Sequence, residues 1–489
     1  MTALTVEQWL IIAGALLVVS VLASKLGARL GVPALLLFLG IGMLTGSEGI
    51  GGVEFDDPWL AQFLAVVAFA FILYSGGLDT DISEIRPIIT PGLVLATLGD
   101  LMTALVVGTA ATYLLDFTFL EGLLLGAIVS STDAAAVFAV LRGKNVRLKG
   151  DLKPALEFES GSNDPMAIFL TIGLIELIQE PDATVIGLIP MFIQQMAIGA
   201  IVGYLVGRGM VAFINRLNLD YDGLYSVITI STVMLTYGLT TVLGGNGFLA
   251  VYLAGLVSGN LAFIHRHSLK SFHDGIAWLM QIIMFMTLGL LVFPSEVIEV
   301  APEGLLLSAL LILVARPIMV FITLSWTKFN LREKVLIAWV GLRGAAPVVL
   351  ATFPLLAGLE NANTIFNIVF FIVLTSVLVQ GTTIVPIARW LGVEDTSPVR
   401  PAYPFEYIPS DDSPSDLVEL TVSPGSPVAN KRIVEANLPE ASLMVLVSRD
   451  EQFIIPNGAT MLRPGDNVLV LADKADLATL RAAFEPQPL

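Results

Sequence analysis

Apolar runs long enough to span a bilayer recur along this chain as far as Trp390, and this repetition limits the fold more than any single motif. Only helices and closed barrels satisfy their backbone groups in lipid, and runs of this length and composition are helical. They begin near Trp9, Pro33, Trp59, Ile88, Leu120, Pro154, Gly187, Asp222, Asn246, Asp274, Glu303, Arg332 and Thr364, about thirteen spans in all. With 55% hydrophobic and 14% charged residues and a mean hydropathy of +0.83, the chain is excluded from the ordinary soluble class. It holds no cysteine, so neither a disulfide nor a thiolate metal site enters. The residues before the first span carry Glu7 and no Lys or Arg, which is not a signal-peptide pattern.

The net charge of −17 hides an asymmetry. Alternate connections hold Lys25, Arg29, Arg86, Arg142, Lys144, Arg147, Lys149, Lys153, Arg208, Arg216, Arg266, Lys270, Lys328, Arg332 and Lys334. The intervening connections carry acids such as Glu48, Asp116, Glu121, Glu180 and Glu296, and no Lys or Arg. The positive-inside rule then predicts an outside N-terminus and a cytoplasmic end near Arg389.

Two spans are interrupted. Ser130-Ser131-Thr132-Asp133 breaks the run Gly126 to Leu141 and offers N-cap side chains to the segment from Ala134. Gly341-Leu342-Arg343-Gly344 breaks Ile337 to Pro354 in the same way, roughly 210 residues later, and the flanking spans repeat at that offset. An offset of seven helices reverses orientation. The expected fold is an all-α polytopic membrane protein of about 13 transmembrane helices in two inverted repeats with broken helices, an architecture of secondary transporters with a midplane site. Asp133 and Arg343 are placed to compensate the half-helix ends.

The charged run Glu157-Phe158-Glu159-Ser160-Gly161-Ser162-Asn163-Asp164-Pro165 lies inside an apolar span, where carboxylates are rare and mark function. At 100° per residue Glu157, Ser160 and Asp164 share one helix face, while Glu159 and Asn163 share another. Pro165 has no N–H to give the Gly161 carbonyl, so a backbone oxygen is free beside the carboxylate, a cradle for a small cation. A structural charge pair is the competing reading. Arg316 needs a buried partner, and Glu159 is the candidate. Asp100 is read equally as pocket-lining or water-facing, with no partner assigned. His265, His267 and His273 cluster on one basic connection and read as solvated surface, weighed against a metal site, with pH sensing a further role open to them.

Beyond Trp390 the composition turns to Pro, Ser and Asp. The expected organisation is a membrane domain over 1–392, a Pro-rich linker over 393–414 and a small cytoplasmic α+β domain over 415–489. Strands are expected at Leu417–Val422, Leu443–Val447 and Val468–Leu471, a short helix at Lys431–Ala436 and a closing helix at Asp476–Phe484. No Walker A or GxGxxG sequence occurs there.

Glu159 to Pro165, with Ser131-Thr132-Asp133 before it and Gly341 to Gly344 after it, resembles the monovalent cation:proton antiporter-1 family, and NhaP-type bacterial members in particular. Ser426, Arg449 and Leu462 to Asp466 in the tail resemble the C-terminal subdomain of regulator-of-potassium-conductance (TrkA-C) modules. The resemblance implies a homodimer in a bacterial inner membrane that exchanges Na+ or K+ for H+, without a resident cofactor. Asp164 would be the shared carboxylate holding the cation transiently, Ser160 and Thr132 its oxygen ligands, with Asn163 bonded to Arg343 and Glu159 to Arg316. A small cytosolic nucleotide or cyclic dinucleotide is the implied tail ligand; no nucleic acid is. The chain departs from the family at Tyr74-Ser75-Gly76-Gly77-Leu78-Asp79, where Ser75 replaces an acid and Asp79 an arginine, and at Thr132-Asp133-Ala134, which lacks a proline. The alternatives are a tail-gated cation channel and an intramembrane enzyme; no Ser/His or zinc constellation in the spans supports the latter.

Overall fold

A computed structural model describes residues 5–30, 33–144, 146–217, 219–395, 415–439, 441–449 and 452–485, in two units, Met1–Asp395 and Thr396–Leu489. In the first, α1 (Val6–Leu30), α2 (Ala34–Thr45), α3 (Pro58–Asp79), α4 (Ile82–Ile85), α5 (Ile89–Val94), α6 (Asp100–Leu114), α7 (Phe119–Ile128), α8 (Ala134–Gly143) and α9 (Leu152–Gln179) form one series. A second follows with α10 (Leu188–Arg216) to α11 (Gly223–Val242), α12 (Gly247–Gly259), α13 (Arg266–Leu290), α14 (Pro294–Glu299), α15 (Ala301–Leu310), α16 (Arg316–Thr323), α17 (Leu331–Trp339), α18 (Ala345–Ala357) and α19 (Ala362–Leu391). Among the described residues, eight helical stretches are long and apolar enough to cross a membrane. The shorter apolar helices are α2, α7, α8, α12 and α18; α7 with α8, and α17 with α18, are the halves of the two interrupted spans.

The repeat extends to local detail. α7 starts with a capping box formed by Thr118 and Glu121, and α17 with one formed by Asn330 and Glu333. A π-helical turn over Leu95–Gly99 delivers the buried Asp100, and another over Leu311–Ala315 delivers the buried Arg316. Such turns insert one residue into the helical ladder and re-aim the side chain that follows. Both fall at the same place in their repeats, so corresponding turns deliver an acid in one half and an arginine in the other.

Helices α3 and α12 approach at backbone contact. A Cβ on Gly77 would lie 2.4 Å from the Tyr252 carbonyl oxygen, and one on Gly255 would lie 2.4 Å from that of Tyr74, so only glycine admits this packing. The histidines correct one expectation. His273 is 1% exposed: its Nε2 lies 2.8 Å from Thr229 Oγ1, and its ring packs against Phe71, Tyr74 and Phe272. It falls on the inner face of α13, which starts at Arg266 and carries the position from the connection into the bundle. His265 and His267 stay near the surface.

The membrane unit continues past residue 392. Lys149 N donates to Val393 O at 3.0 Å and Asp395 N to Arg147 O at 2.7 Å, so residues 393–395 pair with the loop after α8. The remainder of the expected linker, 396–414, lies outside the described residues. In the second unit, β1 (Ser415–Thr421), β2 (Ser442–Arg449), β3 (Gln452–Ile454) and β4 (Asn467–Asp473) form an antiparallel sheet in the order β1-β4-β2-β3. Helix α20 (Leu477–Phe484) buries Leu480 and Phe484 in the core that also holds Val447, Leu462 and Val470. The expected short helix is a 3₁₀ turn over Ile433–Glu435, and β3 was not anticipated. Arg449 clamps the turn before β4, its Nε and Nη2 donating to Asp466 at 2.8 and 2.7 Å.

Candidate ion-binding site

The site forms where the two broken spans meet. After α7 the chain leaves helical geometry over Ser131 to Asp133 and restarts at Ala134; after α17 it does so over Gly341 to Gly344 and restarts at Ala345. Asp133 is the N-cap of α8, its carboxylate accepting from Ala136 N at 2.9 Å. The same carboxylate accepts from Ala345 N, the first residue of α18, and Asp133 N donates to Leu342 O at 2.8 Å. One carboxylate therefore caps two facing half-helix N-termini, whose partial positive charges it offsets. Gly344 permits this approach, because a Cβ there would fall 1.8 Å from Asp133 Oδ2.

Arg343 serves the opposite ends. Its Nη1 donates to Ser130 O at 2.5 Å and Ser131 O at 2.7 Å, carbonyls that the interruption leaves without a helical partner. The expected bond between Asn163 and Arg343 does not form. Asn163 Nδ2 donates to Thr132 Oγ1 at 2.8 Å, while its Oδ1 and the Nη2 of Arg343 each have no hydrogen-bond partner among the described residues.

Asp164 is 5% exposed and accepts a short hydrogen bond from Ser131 Oγ. The sequence places Ser131 in the Ser130 to Asp133 break and in the family motif without assigning it to Asp164, and that place in the cluster is the signal that points to it. Ser160 Oγ accepts from Ala134 N at 3.0 Å and donates to Thr132 O at 2.9 Å. The hydroxyls of Ser160 and Thr132 are thus engaged in bracing the break, although both residues line the same cavity as Asp164.

The shared face read from the sequence is present. Glu157, Ser160 and Asp164 line a cavity of about 180 Å³ together with Thr132, Asp133 and Tyr252. It shares Gly76, Asp79, Arg142 and Gln281 with a larger cavity of about 560 Å³. Asp79 ends α3 and Arg142 lies in the last turn of α8, so the route from Asp164 runs toward the side bearing the basic connections. At the position where the family has an acid, Ser75 donates to Asp274 Oδ1 of α13 at 3.1 Å. The carboxylate at that point of the larger cavity comes from another helix, and Asp79 pairs with Lys270 at 2.8 Å.

The opposite face of α9 is tied down. Arg316 donates through both Nη atoms to the Glu159 carboxylate, with Nη2–Oε2 at 3.0 Å, and Nη2 also reaches Ile337 O at 3.3 Å. Asp100 is fully buried, feels the charges of Arg343, Glu159 and Arg316, and neither carboxylate oxygen has a hydrogen-bond partner among the described residues. It is neither water-facing nor a wall of the cavity that holds Asp164.

A bundle of inverted repeats, with a buried carboxylate on the wall of a cavity between two broken helices, defines a secondary ion exchanger. Residues 13–390 match the family model described as sodium/hydrogen exchanger, transmembrane, and residues 417–485 match the TrkA-C domain. The chain belongs to the sodium/hydrogen exchanger family. It is 38% identical to the K(+)/H(+) antiporter NhaP of Alkalimonas amylolytica, over 97% of this chain and 83% of that protein. It is 39% identical to the K(+)/H(+) antiporter NhaP2 of Shewanella sp. (strain ANA-3), over 100% of this chain and 85% of that one. The solved structure of the sodium proton antiporter MjNhaP1 from Methanocaldococcus jannaschii shares the fold, with a TM-score of 0.69 at 24% identity, over 77% of this chain and 97% of that chain.

Proposed function

We propose that the protein exchanges K+ for H+, one for one, across a bacterial inner membrane, with Asp164 holding either ion in turn. The carrying observation is the setting of Asp164: a buried carboxylate with one hydroxyl donor, Ser131, at the inner end of a cavity. A carboxylate so buried is costly when ionised and bare, so it takes a proton or a cation, and the two exclude each other. That exclusion couples the fluxes. Asp133 stays ionised because two helix N-termini offset its charge, and Asn163, an amide, has no proton to exchange; one titrating carboxylate gives electroneutral exchange. The relatives named as K(+)/H(+) antiporters support K+ as the cation. The charge asymmetry of the connections supports an outside N-terminus and a cavity open to the cytoplasm, so the inward-facing state is the one described. The tail, similar to TrkA-C domains, regulates exchange in a homodimer and binds a small cytosolic ligand.

Asp164→Asn tests the reading in proteoliposomes carrying an internal pH dye. The amide keeps the volume but holds neither ion, so K+-driven H+ flux disappears while the folded protein is retained; wild-type flux from the folded variant overturns the assignment. Clamping the membrane potential tests stoichiometry, and a wild-type rate that follows voltage overturns one-for-one exchange.

A further inference from the structure

Tyr252 lines the cavity that also holds Asp164. It projects from α12, a helix that supplies none of the half-helix ends, and is 4% exposed. Its ring tip lies against Gly161: a Cβ there would meet Tyr252 Cζ at 2.5 Å and the hydroxyl oxygen at 2.7 Å. Gly161 lies one helical turn after Glu157 and nearly one before Asp164, so the hydroxyl sits between the two carboxylates along the shared face of α9. At about 1.5 Å of rise per residue, those carboxylates are separated by about 10 Å along the axis, with the tyrosine near the midpoint. All three line the 180 Å³ cavity.

Within hydrogen-bonding distance the hydroxyl has no partner among the described residues; Thr80, which gives its own proton to Gly76 O at 2.8 Å, interacts with it weakly as an acceptor and supplies no donor to its lone pairs. Buried tyrosine hydroxyls normally find a partner, because an unmatched polar group in a dry environment is costly. Here the oxygen is kept at a cavity wall by a glycine that leaves room for it. A phenol oxygen offers lone pairs to a monovalent cation without adding charge, so it ligates the ion and leaves the one-for-one balance intact. We propose that Tyr252 is a cation ligand on the path between Glu157 and Asp164, setting the affinity with which K+ enters the site. This rests on the reading of Asp164 as the exchanging carboxylate and adds a determinant of substrate affinity.

The ligand role predicts a split between affinity and rate that a packing role does not. In proteoliposomes of the full chain, Tyr252→Phe keeps the ring against Gly161 and removes only the oxygen. Its half-saturating K+ concentration is expected to rise about 3- to 10-fold, the loss of one modest polar interaction, with a smaller change in the rate at saturating K+. An unchanged half-saturating concentration, or a loss confined to maximal rate, overturns the proposal. Should Tyr252→Phe fail to fold, Gly161→Ala displaces the ring tip while keeping the hydroxyl, and the same criterion applies. Asp164→Asn run alongside separates the failures: an active Asp164→Asn sinks the exchange site itself, whereas an inactive Asp164→Asn with unaltered Tyr252→Phe affinity sinks only the ligand.

Discussion

Removing one partner of the Glu159–Arg316 pair should destabilise the membrane unit far more than removing both. Each side chain is 1% exposed, and the two are joined through both guanidinium Nη atoms. Arg316→Met leaves the Glu159 carboxylate buried without its partner. Breaking a buried pair in this way costs about 3–5 kcal/mol, chiefly through the charge left uncompensated. For a unit the size of Met1–Asp395, scaling the unfolding entropy by length makes that a fall in Tm of about 4–6 °C. Glu159→Leu is expected to fall by a similar amount, since among the described residues Arg316 then keeps the Ile337 carbonyl and the Met319 sulfur but no counter-charge hydrogen-bonded to it. The double variant removes both charges and leaves side chains of comparable bulk, so it should return to within about 2 °C of the native protein. Thermal scans in detergent at one fixed rate make the comparison, because unfolding of such proteins is irreversible and the midpoint depends on scan rate. Singles that melt with the native protein, or a double variant as low as the summed singles, would refute the claim that charge compensation is what this pair supplies.

Asp133→Ala removes the cap from two half-helices at once and should cost about 1–4 kcal/mol; Asp133→Asn, which keeps an acceptor, should recover much of the lost Tm, and equal losses in the two variants would argue against capping. Gly255→Ala forces α12 away from α3, so a lower yield or Tm is expected in a detergent thermal scan, and an unchanged one would show that the close approach is not needed. Truncation after Asp395 should leave K+/H+ exchange intact and shift its dependence on cytosolic pH or concentration. Truncation after Leu391 should also lower stability, because it removes the pairing of residues 393–395 with Arg147 and Lys149; both effects are read from flux assays and thermal scans of the two lengths.

The spans, their two interruptions and the repeat offset were legible in the sequence because bilayer length and backbone satisfaction act on local runs of residues. Asp133 as a cap was legible for the same reason: an N-cap reaches only two or three residues along its own chain, here to Ala136. The clustering of Glu157, Ser160 and Asp164 on one cavity wall followed from helical periodicity alone. The pairing of Glu159 with Arg316 followed from the cost of leaving either buried charge alone. Contacts across the bundle were not legible. That Asp133 caps α18 as well, that Arg343 turns to the Ser130 and Ser131 carbonyls rather than Asn163, that Ser131 holds Asp164, and that Tyr252 meets Gly161 all depend on how two interrupted helices and α12 face one another. Helical periodicity gives the direction of a side chain about its own axis but not which neighbour stands there. His273 shows the limit most plainly: its position beside polar residues suggested surface, and only the packing of α13 against α3 and α11 turned it inward, because burial is a property of the assembled helices and not of the residue.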